Sequence, residues 1–285
     1  MSLSLSNVQQ TEFDALVKVE YRSRGFILRD TVRVRTDVIG NTCQFRKMGQ
    51  VIANQVAYQN TIAIQDPGFT AQTATLLKYA AGTAVDEIQD LTVNFDSKRE
   101  LAIAVAMAVG RRSDQIIIDA FAAGGSAQAT IAAGGTNMSY AKLRNVVQYF
   151  EQDAVPVGER FVAMSGNNLR ALLADDHIVS RFYTSNDAAV DGTLQYKDLL
   201  SMNVRIIPDM TEGGLPLGVT AANVRNCYAW HKMAMGMAVG QDMRTEVNYL
   251  PRETSWFVNG LFFAGAVTVD NRGVFFVNAD ESVNP

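Results

Sequence analysis

The 285-residue chain carries 25 basic and 29 acidic side chains, with only two histidines and two cysteines. That length suffices for one large domain or two modest ones, and the near-neutral balance gives no overall attraction to nucleic acid or to a membrane surface. Cys43 and Cys227 form neither a disulfide framework nor a metal-ligand spacing, and read as buried or idle thiols of a reducing cytoplasm. The longest strongly apolar stretch, Leu101 to Val109, is far short of the ~20 residues of a membrane span. The opening Met-Ser-Leu-Ser-Leu-Ser has neither a basic region nor an apolar core, so no signal peptide is evident and the product is expected to stay in the cell or leave by lysis.

Charge is unevenly spread. Eight basic residues face three acidic ones between 18 and 47, whereas ten acids face five bases between 151 and 220. Opposite signs on two regions of one chain can steer head-to-tail contacts between copies; solvated faces of an ordinary surface are the alternative.

In chain order, Thr31 to Thr36 alternates as a strand with Val32 and Val34 on one face, and Cys43 to Met48 resumes extended character after Gly40-Asn41. From Gly49 to Thr75 the chain is almost uncharged, with Asp66 alone, rich in Gln, Asn and Thr, and without a helical period. Its β-branched content predicts a projecting two-stranded flap turning at Asp66-Pro67-Gly68, with Ala74 to Ile88 as the return. A lone hairpin is marginal in water, so its partner surface is expected on another subunit.

Residues 97 to 123 predict a long helix of roughly 40 Å. Ser97 and Glu100 have the capping-box spacing, four alanines lie between Leu101 and Val109, and glycines 124 and 125 stop it. A second helix starts at Ser139. Arg160 to Ser165 reads as a buried strand, Asn167 to Leu173 as a helix, Asn203 to Pro208 as a strand, and 211 to 218 as a loop. Ala229 to Val239, small and methionine-rich, predicts a helix. Glu246 to Tyr249 is extended, and Trp256 to Val277 predicts a closing hairpin turning at 270 to 273.

Chemistry is hard to find. No nucleophile elbow, phosphate loop or metal spacing is present. Asp175-Asp176-His177 is the most catalytic-looking cluster, but adjacent residues rarely point at one ion, and an exposed helix end explains it better. His231 beside Trp230 reads as a packed histidine, the methionines at 233, 235, 237 and 243 as adaptable packing, and Arg111-Arg112, inside the long helix, as salt-bridge partners of a neighbouring element. No catalytic residue, metal or cofactor is expected.

Taken in order, Ile39 to Gly49, the flap, Glu87 to Leu91, the Asp96-to-Phe121 rod and the Trp256-to-Val277 element resemble the major capsid proteins of tailed bacteriophages, especially short-tailed ones. The resemblance implies an α+β capsid fold: an N-terminal arm (1–44), an extended E-loop and its base (45–93), a peripheral domain (94–151) with a spine helix at 97–123, an axial domain (152–245), and return strands of the peripheral domain (246–285). It implies a structural protein that self-assembles into pentamers and hexamers of an icosahedral shell around double-stranded DNA, touching that DNA weakly and non-specifically. It further implies a separate scaffolding protein, a portal protein, assembly in the bacterial cytoplasm and a final place in the virion. Lys47, Lys78, Asp86, Glu87, Arg111 and Arg112 are the candidate intersubunit ion-pairing residues, with local surface pairing as the alternative. Encapsulin-type nanocompartment shells share the fold, and an enzyme built on Asp175, Asp176 and His177 is the remaining competitor.

Overall fold

The computed structural model describes residues 25–88, 97–124, 130–175, 178, 200–218 and 223–283. In chain order these form β1 (Arg33–Arg35), β2 (Thr42–Met48), β3 (Phe69–Thr75), β4 (Leu77–Asp86), α1 (Ser97–Ala123), β5 (Thr130–Ile131), α2 (Tyr140–Gln152), β6 (Arg160–Ser165), α3 (Gly166–Leu173), β7 (Asn203–Ile207), β8 (Val224–His231), β9 (Met235–Leu250), β10 (Ser255–Thr268) and β11 (Val274–Asp280). The strands make a four-stranded sheet in the order β1-β9-β10-β4, a five-stranded sheet in the order β5-β11-β8-β6-β7, and the separate pair β2-β3.

The predicted long helix is α1, 27 residues from Ser97 to Ala123. Its first half lies on the four-stranded sheet. Val105 and Val109, one turn apart, sit over Gly260 of β10, where a Cβ would come within 2.6 Å of Val105 and 3.2 Å of Val109. Its second half enters the other core: the Phe121 ring lies 5.0 Å from Tyr228 and 4.8 Å from Trp230, both on β8. One continuous apolar core therefore runs from Phe262 and Ala264 of β10 through α1 to Phe161, Tyr228 and Phe275. The predicted strand at Arg160 to Ser165 is β6, buried at every position, as expected of a strand covered on both faces. The predicted helices after Ser139 and near Asn167 are α2 and α3; the Ser165 hydroxyl caps α3 by accepting from the Asn168 amide at 3.2 Å.

Two expectations are overturned. Ala229 to Val239 is not a helix: β8 runs to His231, Lys232–Ala234 is a single 3-10 turn, and β9 begins at Met235. These strands are covered on both faces, so their apolar residues run continuously and mimic a buried helix. Gly236 and Gly240 belong to β9, where added Cβ atoms would meet the rings of Phe45 and Phe263 at 2.8 and 2.5 Å. The glycines lay aromatic rings flat on a strand. The stretch from Trp256 to Val277 is not a hairpin either. β10 pairs with β9 and β4, whereas β11 leaves for the five-stranded sheet and pairs with β8 and β5. The true hairpin is β9-β10, with its tip at 251–254. Segment 246–285 thus contributes strands to both sheets.

Buried polar side chains latch the connections. Lys142, 7% exposed, donates to the carbonyls of Ala133, Thr136 and Asn278 at 2.9, 2.7 and 2.9 Å, pinning the Gly134-Gly135 loop to β11. Burial pulls its pKa down. Arg160 sits over the Phe150 ring at 4.9 Å, pairs with Glu151 at 2.8 Å, and donates to the Val155 and Pro156 carbonyls. Arg225 joins β8 to the C-terminal residues through Glu281 at 2.8 Å, and Glu281 also accepts from the Ser165 hydroxyl at 2.6 Å.

Asp114 of α1 holds the segment 25–28. Its two carboxylate oxygens accept from the Ile27 and Leu28 amides at 3.1 and 3.0 Å, while the Gly110 carbonyl accepts from Phe26. Gly25, at φ +74°, passes so close that a Cβ would fall 1.9 Å from the Gly110 carbonyl carbon. Desolvation pushes the Asp114 carboxyl up to about 6, against the two amide bonds that favour its ionised form. A folded-state pKa above the ordinary 3.8 means that the folded chain holds this proton more tightly than the unfolded one. The site's stabilising contribution is then complete below about pH 4 and lost as pH rises through about 6, at most ~3 kcal/mol. In urea titrations of the protein, the stability of wild type relative to Asp114→Asn should fall by up to that amount across this window. A difference that stays flat would show that the carboxyl is not desolvated.

Candidate assembly surfaces

The flap is a hairpin with a packed root and a bare tip. β2 and β3 pair from Thr42↔Thr75 to Met48↔Phe69, and the Gly49 amide closes the ladder onto the Gly68 carbonyl at 2.9 Å. The flap does not reverse at Asp66-Pro67-Gly68 as expected: Asp66 accepts from the Gly68 amide at 3.1 Å just before β3, and the chain turns back at 57–60, where the Asn60 amide donates to the Ala57 carbonyl at 3.2 Å. The expected return arm forms β4 of the four-stranded sheet. Beyond the β2-β3 ladder no strand forms; Gln65 ties the two arms by bonding both the amide and the carbonyl of Ile52, at 2.9 and 2.8 Å. The root is held by Cys43, Phe45, Ala74 and Leu76, which pack on Ala238 and Val269. The tip has no such cover: Tyr58 and Ile64 are fully exposed, and Ile52, Ile62 and Phe69 are two-thirds exposed or more. Full burial of one such side chain is worth about 1.5–3 kcal/mol, so a partner covering several gains most of an interface's energy here.

The six predicted ion-pairing residues are dispersed over the molecule. Lys47 leaves β2 and reaches Asp270, 2.7 Å away in the turn after β10, fixing the hairpin root to the body. Burial works against the Asp270 carboxylate, but the Lys47 bond and the Arg272 amide together hold its pKa below the ordinary value. Lys78 is exposed on β4 opposite Phe263. Asp86 ends β4 and accepts from the Ile88 amide at 2.8 Å; its neighbour Glu87 accepts from the Tyr249 hydroxyl at 2.9 Å. Arg112 stacks over Tyr79 at 4.6 Å and reaches Glu212 only at 3.9 Å. Arg111 lies beside it on α1, half-buried, with Gly213 closed onto its backbone. Lys47, Glu87 and Arg112 thus have partners within the chain.

Of the rival catalytic cluster only Asp175 lies within the described residues. Asp175 accepts from the Tyr140 amide at 3.2 Å and so satisfies the start of α2; Asp176 and His177 lie outside the described residues. His231 is buried and its Nδ1 accepts from the Met233 amide at 3.3 Å, as expected of a packed histidine. Burial pushes the Cys227 thiol up to about 12, far from a reactive thiolate. No group of three or more metal-ligating side chains occurs among the described residues, and no described helix is long and apolar enough to cross a membrane.

Open strand edges complete the surface. β1 pairs β9 only from Gly236 to Ala238, so among the described residues the outer edge of β9 runs unpaired from Gln241 to Leu250, exposed or half-exposed throughout. β4 is the opposite edge of the same sheet. Unpaired edges of this length invite another chain, and a monomeric protein usually blunts them.

Solved structures of phage heads share this architecture. The head structure of Helicobacter pylori bacteriophage KHP40 aligns with a TM-score of 0.75 at 11% identity, covering 95% of this chain and 95% of that one. The capsid of cyanophage P-SCSP1u aligns with a TM-score of 0.74 at 12% identity over 100% and 96% of the two chains. A Mycobacterium phage Che8 chain aligns with a TM-score of 0.69 at 14% identity over 93% and 95%. At such identities the likeness speaks for fold. No curated protein matches the sequence. The sequence itself matches the family described as phage capsid protein over residues 5–281, nearly its whole length, and the chain belongs to that family.

Proposed function

We propose that this protein is the major capsid subunit of a tailed phage, assembling into the pentamers and hexamers of an icosahedral shell that encloses double-stranded DNA. The observation that carries this reading is the hairpin: an anchored root presenting an apolar tip that the other described residues leave uncovered, in a member of the phage capsid family. The tip and its root, within 45–93, act as the E-loop and lie on a neighbouring subunit, supplying the apolar part of many modest contacts that are jointly strong. α1 serves as the spine, the four-stranded sheet beside it as the peripheral unit, and the five-stranded sheet with α2 and α3 as the axial unit, which takes β5, α2 and β11 out of the peripheral segments 94–151 and 246–285 expected from the sequence. The near-neutral charge suits a wall that touches packaged DNA weakly, since a basic wall would grip it. Scaffolding and portal proteins are the partners this role requires, the host cytoplasm is the place of assembly, and the reading assigns no reaction to the chain.

Negative-stain microscopy of the protein expressed alone and with the scaffolding protein of its own phage tests the assignment. Closed shells that depend on the scaffold support it. Shells of the protein alone indicate a nanocompartment, and a monodisperse monomer under both conditions overturns it.

Replacing residues 50–67 by a short glycine-containing turn leaves the β2-β3 ladder and its packed root intact. The variant should fold with unchanged cooperativity and form no shells; normal shells would remove the hairpin from the assembly surface. Lys47→Ala should cost the subunit no more than about 1 kcal/mol in denaturant unfolding, because the pair is partly exposed. It should nonetheless lower the yield of sedimenting shells, since the hairpin loses its tie to Asp270, and an unchanged yield would show that the tie plays no part in assembly.

A further inference from the structure

We propose that the cleft between β1 and β2 binds an extended acidic peptide segment of a partner protein. The cleft has a volume of about 660 Å³ and is walled by Arg33 and Arg35 on one side and by Gln44 and Arg46 on the other. Alternation explains the wall chemistry. Arg33 and Arg35 flank the half-buried Val34 and share the exposed face of β1, while Gln44 and Arg46 point outward as Cys43 and Phe45 point into the hairpin root.

Three guanidiniums converge on a space whose one acidic lining residue is Asp37. Among the described residues Arg33, Arg35 and Arg46 form no ion pair, and only Arg33 has an aromatic contact, 5.9 Å over Phe45. Neighbouring cations are different: Arg29 is held by both oxygens of Asp242 at 2.7 and 2.9 Å, and Lys47 by Asp270. Guanidiniums left open in a concave site select carboxylates or phosphates.

The strands decide between those two. β1 is the terminal strand of the four-stranded sheet, and β2 pairs on one side only, with β3. Among the described residues both therefore offer unpaired main-chain donors and acceptors beside the cleft, which an extended peptide engages and a nucleotide strand does not. Single-stranded nucleic acid also needs exposed rings for stacking, and the one aromatic lining residue, Phe45, is 2% exposed. Acidic side chains two residues apart on a bound strand match the two-residue spacing of Arg33 and Arg35. Another copy of this chain, which exposes Asp66, Asp153 and Glu253, is the competing donor that the test separates from a partner protein.

The test uses the full-length protein at low salt and a fluorescein-labelled octapeptide of alternating Glu and Val, read by fluorescence anisotropy. Saturable binding is expected, weakened about tenfold or more by Arg35→Glu with Arg46→Glu. Both positions are exposed, and an unchanged melting temperature checks that the double variant is folded; Arg35→Gln with Arg46→Gln should give an intermediate loss. The same peptide methylated on alternate backbone nitrogens should bind more weakly, which a purely ionic patch would not produce. Absence of peptide binding, equal binding by the charge-reversed variant, or equally tight binding of a short oligothymidine would each overturn the proposal. So would loss of self-association in the charge-reversed variant without any peptide bound to the wild type, which would make another copy the occupant.

Discussion

The whole architecture depends on one helix being buried by two sheets. α1 gives Val105 and Val109 to the four-stranded sheet through the space left by Gly260, and gives Phe121 to Tyr228 and Trp230 of the five-stranded sheet. A rod of 27 residues is long enough to reach both. Because the chain crosses between the sheets repeatedly, with β8 and β9 adjacent in sequence but in different sheets, neither sheet closes a core alone. Moving one sheet against the other would have to break the contacts of α1, so the body behaves as a single block from which the β2-β3 hairpin projects.

That projection divides the apolar residues into two populations. At the root, Cys43, Phe45, Ala74 and Leu76 are buried by their own chain. At the tip, Ile52, Tyr58, Ile62 and Ile64 face outward, with one amide side chain, Gln65, cross-linking the arms. An isolated excursion of this kind cannot offset its own ordering entropy. Its conformation is completed by whatever surface it meets, while the Lys47–Asp270 pair fixes where it points. The fold thus separates aim from adhesion: the root sets direction, and the tip supplies apolar area.

Legibility in the sequence followed the range of the forces involved. α1, α2, α3 and β6 were readable because alanine content and buried apolar runs are local signals, whereas the expected caps were not the reason: Ser139 makes no side-chain cap and Ser97 is itself the first residue of α1. The hairpin was readable because its lack of charge is local too. The stretch at 229–239 misled because a strand covered on both faces has no alternation to read, and the turn at 270–273 misled because pairing is decided by which strands arrive from elsewhere. β11 finds β8 and β5 waiting, and β10 finds β9 and β4. Asp114 and Lys142 were missed for a related reason. In sequence each is one more charge on a helix, and only the fold shows that Asp114 receives two amides and Lys142 three carbonyls. Of the six candidate contact residues, Lys47, Glu87 and Arg112 were found in pairings within the chain that sequence alone left open.

Those buried charges share a design. Asp114, Lys142 and Arg160 all bond main-chain groups of a connecting segment, and only Arg160 has an oppositely charged partner as well. An isolated buried ion is costly, but one that satisfies two or three main-chain groups also removes their own desolvation penalty. Latches of this kind act on the chain path and leave the loop side chains free to face outward. This arrangement holds the connections still while, among the described residues, the hairpin tip stays exposed and the outer edges of β4 and β9 stay open. The exposed surface can therefore be specialised for contact because the main chain beneath it is fixed from within.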